Sequence, residues 1–240
     1  MTGRTPYQNV TFPSNGRTAH GYLAVPESGS GPGLIVIQEW WGLTDHIADV
    51  ANRFAREGFV VLAPDLYGGR TTHDEEEAQS LAGQLSPEQA VEDLSGAVDY
   101  LLAQPCVTSD EVGVVGFCMG GSFVLRLAAR KGDKIAAAVV FYGFFQGNED
   151  FSDVRAPVQA HFGEQDQGIP PDRARSVMEK VRTQAGVPVQ VHFYDAGHAF
   201  FSDENLLGTY DEDAAKLAWS RTVDFLRSAP TRSGTAGSGR

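Results

Sequence analysis

Val112-Gly113-Val114-Val115-Gly116-Phe117-Cys118-Met119-Gly120-Gly121-Ser122, followed by a run rich in Leu and Ala from Phe123 to Lys131, decides how this chain folds. The valines favour an extended strand, and the Leu/Ala run favours a helix. Between the two lies the pattern G-x-C-x-G, with Gly116 and Gly120 flanking Cys118. Small flanking residues let a strand turn sharply into a helix, so Cys118 can hold a strained backbone without a side-chain clash. Its thiol then sits at a helix N-terminus, whose partial positive charge favours a thiolate. Cys118 is therefore a candidate nucleophile. Such a thiol needs a base, and the base needs a group to orient it.

Outward from this turn the same alternation repeats. Leu34-Ile35-Val36-Ile37 and Phe59 to Ala63 are continuous apolar runs, as strands buried on both faces require. Thr44 to Arg56 reads as a helix between them. Asp74 to Leu85 and Ser86 to Leu102 are two more, the second opened by Ser-Pro-Glu. Downstream, strands are expected at Lys134 to Tyr142, Val158 to Phe162 and Val187 to Tyr194, with helices at Pro170 to Ala185 and Leu207 to Arg227. At the front, Tyr7 to Phe12 and His20 to Val25 are joined through Ser14-Asn15-Gly16, a hairpin signal, and Glu27 to Gly33 reads as a surface loop. The β-α-β-α order predicts an α/β fold: a doubly wound, mostly parallel sheet with an antiparallel N-terminal edge, in three α/β/α layers. One domain over 1–228 is expected, and the Ser/Gly/Thr-rich residues 229–240 read as a disordered tail.

The 240 residues carry 19 Lys and Arg against 31 Asp and Glu, a formal net charge of -12. That acidity argues against a nucleic-acid surface and against anionic membranes, and reads as a solubilising exterior. No segment approaches the ~20 apolar residues that span a bilayer. Met1 to Tyr7 lacks the apolar core of a signal peptide, so a cytoplasmic protein is expected. Two cysteines, Cys106 and Cys118, give no disulfide framework, and Cys106 has no chemistry around it.

Two loops downstream of Cys118 offer partners. His161-Phe162-Gly163-Glu164-Gln165-Asp166-Gln167-Gly168-Ile169-Pro170 carries Asp166, and Tyr194-Asp195-Ala196-Gly197-His198-Ala199-Phe200 carries His198. Both follow expected strands and leave the sheet at its C-terminal edge, where ligands bind in such folds. Asp166 could instead cap the next helix, and Glu164 is an alternative acid. Of six histidines, His20, His46 and His73 read as surface residues and His161 and His192 lie in strands, with no spacing that suggests a metal site. Past the first central strand, Gln38-Glu39-Trp40-Trp41-Gly42 sets an acid at the mouth of a buried run, which is costly unless it has a partner. Glu39 can pair with an arginine or reach the thiol. Trp40, Trp41, Tyr142 and Phe200 are candidate pocket walls, although such aromatics are as often core.

The combination of Gln38-Glu39-Trp40-Trp41-Gly42, Ala63-Pro64-Asp65-Leu66-Tyr67-Gly68, Gly116 to Gly121 and Ala196-Gly197-His198-Ala199-Phe200 resembles the dienelactone hydrolase family, over roughly Tyr7 to Leu226. The resemblance implies an α/β-hydrolase fold with G-x-C-x-G as its nucleophile elbow. It also implies a Cys118-Asp166-His198 triad and hydrolysis of carboxylic esters or lactones through an acyl-thioester, with no cofactor and no metal. The backbone N–H groups of Trp40 and Met119 become the oxyanion donors, and Glu39 becomes the resting partner of the thiol until substrate displaces it. The expected partner is a small-molecule ester or lactone, with neither nucleic acid nor membrane, for a monomer or small homo-oligomer. One departure matters. Family members that act on dienelactone carry an arginine four residues after the catalytic histidine, and here that position is Ser202. The segment Asp74 to Ala78, where another arginine is expected, is acidic. A neutral or bulkier ester or lactone thus matches at least as well. A thioesterase would use the same constellation. A redox sensor would need the cysteine but neither the histidine–aspartate pair nor the oxyanion donors.

Overall fold

The computed structural model describes residues 7–229. Its strands are β1 (Val10–Ser14), β2 (Arg17–Ala24), β3 (Gly31–Ile37), β4 (Val60–Pro64), β5 (Val107–Phe117), β6 (Ile135–Phe141), β7 (Val158–Gly163) and β8 (Val189–Tyr194). Its helices are α1 (Asp45–Arg56), α2 (Glu75–Gln84), α3 (Pro87–Leu102), α4 (Met119–Lys131), α5 (Pro171–Ala185) and α6 (Glu212–Ser228). The strands form one sheet in the order β1-β2-β4-β3-β5-β6-β7-β8. From β4 onward every neighbouring pair is parallel, while β1–β2 and β2–β4 are antiparallel. This is the mostly parallel sheet with an antiparallel N-terminal edge that the sequence predicts.

The edge follows from its turn. Asn15 and Gly16 take φ of 42° and 77°, and Ser14 pairs directly with Arg17. A two-residue turn with both φ positive matches the twist of the strands it joins. The central strands are buried on both faces, β4 along its whole length. Their two sides meet different helices. A Cβ on Gly113 would touch Leu226 of α6, whereas one on Gly116 would touch Gly120 and Val124 of α4. Helices therefore cover both faces, and residues three apart on β5 read opposite layers.

Several boundaries differ from expectation: β1 and β2 run over Val10–Ser14 and Arg17–Ala24, closing directly on the Asn15-Gly16 turn. β3 begins at Gly31 inside the expected loop, because the Gly31 N–H reaches the Cys106 carbonyl at 3.0 Å. β5 correspondingly starts at Val107, five residues before the valine run. The last helix begins at Glu212 rather than Leu207: Gly208 sits at φ 69°, and the Asp211 side chain accepts from the Ala214 N–H as the helix cap. The caps at Asp74 and Ser86, which accept from the Glu77 and Gln89 N–H groups, open α2 and α3 where the sequence indicates. Residues 1–6, and the expected tail from residue 230 onward, lie outside the described residues. Among those described, no helix is long and apolar enough to cross a membrane.

From β3 the chain passes to β4 on one side and then to β5 on the other. The segments that leave β3 and β5 therefore diverge at a topological switch point, where a crevice opens at the strand ends. Gln38 to Gly42 and Cys118 meet there.

Candidate active site

Cys118 turns the chain with φ 50° and ψ −114°. A non-glycine residue held there costs about 1–3 kcal/mol and must be fixed by its surroundings. Its N–H donates to the Phe141 carbonyl at 3.0 Å, and its carbonyl accepts from the Ser122 N–H at 3.2 Å. Two glycines make the turn possible by close approach. A Cβ on Gly116 would stand 2.3 Å from the Gly120 carbonyl oxygen, and one on Gly120 would stand 2.4 Å from the carbonyl oxygens of both Ile37 and Gln38. The start of α4 is thus pressed against the end of β3. Met119 is the first helical residue, so its N–H has no partner within the helix. It lies beside the strand exit that carries Trp40.

The exits of β7 and β8 bring the other two groups to the thiol. His198 Nε2 lies 3.2 Å from Cys118 Sγ, and His198 Nδ1 lies 2.7 Å from Asp166 Oδ2. The second carboxylate oxygen of Asp166 accepts from the Gly168 and Ile169 N–H groups, each at 2.9 Å. Asp166 is therefore committed to this loop and to the imidazole; it does not cap α5, whose N-cap is Pro170. Glu164, the alternative acid, is exposed. Burial opposes a charge on His198, but its hydrogen bonds to Asp166 and Cys118 prevail and raise its pKa to about 10.

Glu39 is buried to 2 % exposure, and the Tyr142 hydroxyl donates to its Oε1 at 3.3 Å. Burial raises its pKa, while the charges of His46 and His198 and the Tyr142 hydrogen bond pull it back. The thiol–Glu39 pairing implied by the resemblance is not found among the hydrogen bonds of the described residues. The thiol is engaged by His198 and the carboxylate by Tyr142, because an imidazole anchored on Asp166 already stands within reach of the sulfur. Nor, among the described residues, does an arginine pair with Glu39. Its cationic neighbour is His46, which the sequence reading left on the surface and which is in fact 4 % exposed. Spacing could have revealed it: His46, Val50 and Phe54 recur every four residues along the buried side of α1.

A cavity of about 590 Å³ opens over the thiol, lined by Trp40, Phe144, Ile169 and Leu207 beside Cys118, Asp166 and His198. Glu75 and Asp166 are the only charged side chains among the described residues that line it, apart from the titratable His198 and Cys118. Trp40 thus belongs to the wall. Trp41, Tyr142 and Phe200 do not: they are at most 3 % exposed and form the core beneath the site. The Tyr142 ring lies 5.1 Å from His198 and 5.6 Å from Phe200, centroid to centroid. The reason is register. Tyr142 follows β6 directly and is fully buried, whereas Phe144, two residues later, is 47 % exposed at the rim; Phe200, in the loop after β8, packs against the Tyr142 ring. Ser202 is buried and lies outside this cavity, facing a small recess with Trp41. Among the described residues, no three His, Cys, Asp or Glu side chains are grouped to hold a metal ion.

The model of the dienelactone hydrolase family matches residues 19–229. The chain belongs to the dienelactone hydrolase family. It is 34 % identical over 229 residues to Protein usf of Aquifex pyrophilus, covering 92 % of this chain and 97 % of that one. It is 33 % identical over 238 residues to the "Putative carboxymethylenebutenolidase" of a Synechocystis species, covering 91 % and 95 % of the two chains. Among solved structures, the "Putative Dienelactone Hydrolase" of Klebsiella pneumoniae superposes with a TM-score of 0.81 at 28 % identity, over 91 % of this chain and 97 % of that one. The family is one of α/β hydrolases, and the sheet described above has that architecture. The family places the chain among carboxylic ester hydrolases of the dienelactone hydrolase type.

Proposed function

We propose that this hydrolase cleaves uncharged carboxylic esters or lactones with Cys118 as the nucleophile, through an acyl-thioester. The observation that carries the reading is the unbroken chain from Cys118 Sγ to His198 Nε2 at 3.2 Å, and from His198 Nδ1 to Asp166 at 2.7 Å, at the floor of an apolar cavity. An imidazole that holds its proton to about pH 10 is suited to stand opposite a thiolate. The sulfur attacks the carbonyl carbon, and the oxyanion that forms is met by the N–H groups of Trp40 and Met119. Collapse expels the alcohol or enol, which takes the proton from His198, and leaves the acyl group on sulfur. His198, now neutral, accepts a proton from water as it attacks the thioester. The tetrahedral adduct collapses with cleavage of the C–S bond, the carboxylic acid departs, and the freed thiolate stands again opposite the imidazolium that the water proton formed. Asp166 fixes the ring orientation and stabilises the imidazolium. Glu39 is the buried acid near this pair: burial raises its pKa, and the charges of His46 and His198 oppose that rise.

The choice of an uncharged substrate follows from the lining. A carboxylate-bearing lactone would find Glu75 at the wall and no Lys or Arg side chain among the described residues of the cavity. Hydrolysis of p-nitrophenyl acetate, p-nitrophenyl butyrate and dienelactone by the wild type and by Cys118→Ala tests the proposal. The expected result is turnover of both neutral esters, weak turnover of dienelactone, loss of all three in the variant, and a mass increase equal to the acyl group on quenched wild type. Ester turnover that survives in Cys118→Ala would remove the cysteine from the reaction.

A further inference from the structure

His198 lies in a tight turn after β8. The next residue, Ala199, sits at φ 58°, a left-handed value that a residue with a side chain keeps only when its surroundings hold it there. Most of that turn is held by the main chain. The Ala196 carbonyl accepts from the Gln165 N–H at 3.0 Å, the Ala199 carbonyl from the Ser202 N–H at 2.9 Å and the Phe200 carbonyl from the Asp211 N–H at 3.0 Å. The carbonyl of His198 itself is met by a side chain: the Thr209 hydroxyl donates to it. Gly197 makes room for this contact, since a Cβ there would stand 2.9 Å from Thr209 Cγ2 and 3.2 Å from Thr209 Cβ. Thr209 is in turn fixed from both sides. The Asn205 carbonyl accepts from the Gly208 N–H at 3.0 Å, and the Asn205 side-chain oxygen accepts from the Tyr210 N–H at 2.9 Å. Asn205 and Gly208 take φ of 51° and 69°, so the segment turns back onto His198. Thr209 also lines the cavity beside His198 and Leu207.

We propose that Thr209 is a positioning residue for His198: its hydroxyl, presented by Asn205, fixes the backbone from which the imidazole reaches Cys118 Sγ at 3.2 Å and Asp166 Oδ2 at 2.7 Å. The inference rests on the reading of His198 as the base of the reaction. The physical reason is leverage. The ring nitrogens stand several bonds away from the main chain, so a small rotation of the His198 peptide swings Nε2 off its line to the sulfur. A misplacement of about 1 Å in a reacting constellation can cost about 100-fold in rate. Asp166 grips one ring nitrogen and sets the orientation about that point, and the Thr209 hydroxyl supplies a second fixed point at the other end of the residue. Serine would keep this donor, whereas valine would keep the shape of threonine and lose it.

Thr209→Val and Thr209→Ser in the full-length protein separate the hydroxyl from the methyl group. Histidine rings labelled with ¹⁵N are titrated by NMR, and the resonances lost in His198→Gln identify the site. The bonds to Asp166 and Cys118 that raise His198 to about 10 slacken when the ring shifts. In Thr209→Val, His198 should therefore titrate about one pH unit lower, about a tenfold loss in proton affinity. The kcat/KM for p-nitrophenyl butyrate should fall by about tenfold as well, the factor that one lost hydrogen bond supplies. Thr209→Ser should return both quantities to the wild-type values. An unmoved His198 in folded Thr209→Val overturns the proposal, and so does a serine variant as impaired as the valine one. Should Thr209→Val fail to fold, Thr209→Ala is titrated in its place: a downward shift is expected, and no shift overturns the proposal. The titration involves no turnover. A shifted His198 in a protein that hydrolyses no ester would sink the catalytic reading alone, and hydrolysis with an unmoved His198 would sink the role of Thr209 alone.

Discussion

Among the described residues, two histidine–aspartate pairs share the same bond and have opposite surroundings. His198–Asp166 and His46–Asp203 each join Nδ1 to a carboxylate oxygen at 2.7 Å. In the first, the carboxylate is 0 % exposed and the imidazole 25 %; in the second, the imidazole is 1 % exposed and the carboxylate 53 %. A buried aspartate cannot trade its partner for water, so it holds the ring, and the open edge of that ring is left for the sulfur. An exposed aspartate is screened, and its sealed ring can reach no substrate. The second pair is closed to substrate. Which end of the pair meets water decides whether its ring can reach a substrate.

Substitutions at the acids break this comparison most sharply. Asp166→Asn should lower kcat/KM for a neutral ester by about 10⁴-fold, as expected when an imidazole loses the group that fixes its tautomer. Asp203→Asn should cost less than about tenfold, and similar losses in the two variants would erase the distinction. The elbow comes next. Gly120→Ala drives a methyl group to 2.4 Å from two backbone oxygens that cannot yield as a side chain would. It should lose about 1–3 kcal/mol in urea unfolding, and wild-type stability would mean that α4 need not press on β3.

The pH dependence of stability separates the pairs further. The folded His198 pKa of about 10 lies above the unfolded value of 6.5. Its stabilisation is therefore complete below 6.5, fades as the pH rises and is gone past about 10. Thermal unfolding of wild type against His198→Gln should show their difference shrinking across that window, and a constant difference would contradict the ion pair. The smallest effect is expected at the rim. Glu75→Gln should improve turnover of a carboxylate-bearing lactone by about two- to fivefold, since an exposed charge is worth under 1 kcal/mol. It should leave a neutral ester unchanged, and equal gains on both substrates would show that charge is not the reason.

Much of this site was legible in the chain itself. The elbow was, because a strand, a tight turn and a helix within twenty residues leave local marks in valines, glycines and a Leu/Ala run. Asp166 and His198 were legible as loop residues after strands, and the resemblance chose Asp166 over Glu164. The accompanying Glu39–Cys118 pairing was not found, since the choice among partners a few ångströms apart depends on where each side chain lands. The polarity of His46 points to the surface, whereas its spacing with Val50 and Phe54 along α1 points to the core, where it lies. Residue type marks Trp41, Tyr142 and Phe200 as candidate walls, but it does not say which way a ring faces, and all three are core.

By itself, the sequence determined the order of strands and helices, the strained cysteine and the two loops able to serve it, for each depends on residues that are neighbours along the chain. The tertiary structure decided the partners: which oxygen meets which nitrogen, which aromatic lines the cavity and which acid is sealed from water. These are contacts between residues far apart along the chain; His46 and Asp203 are separated by 157 positions. They exist only once the sheet has fixed the spacing of its strand ends.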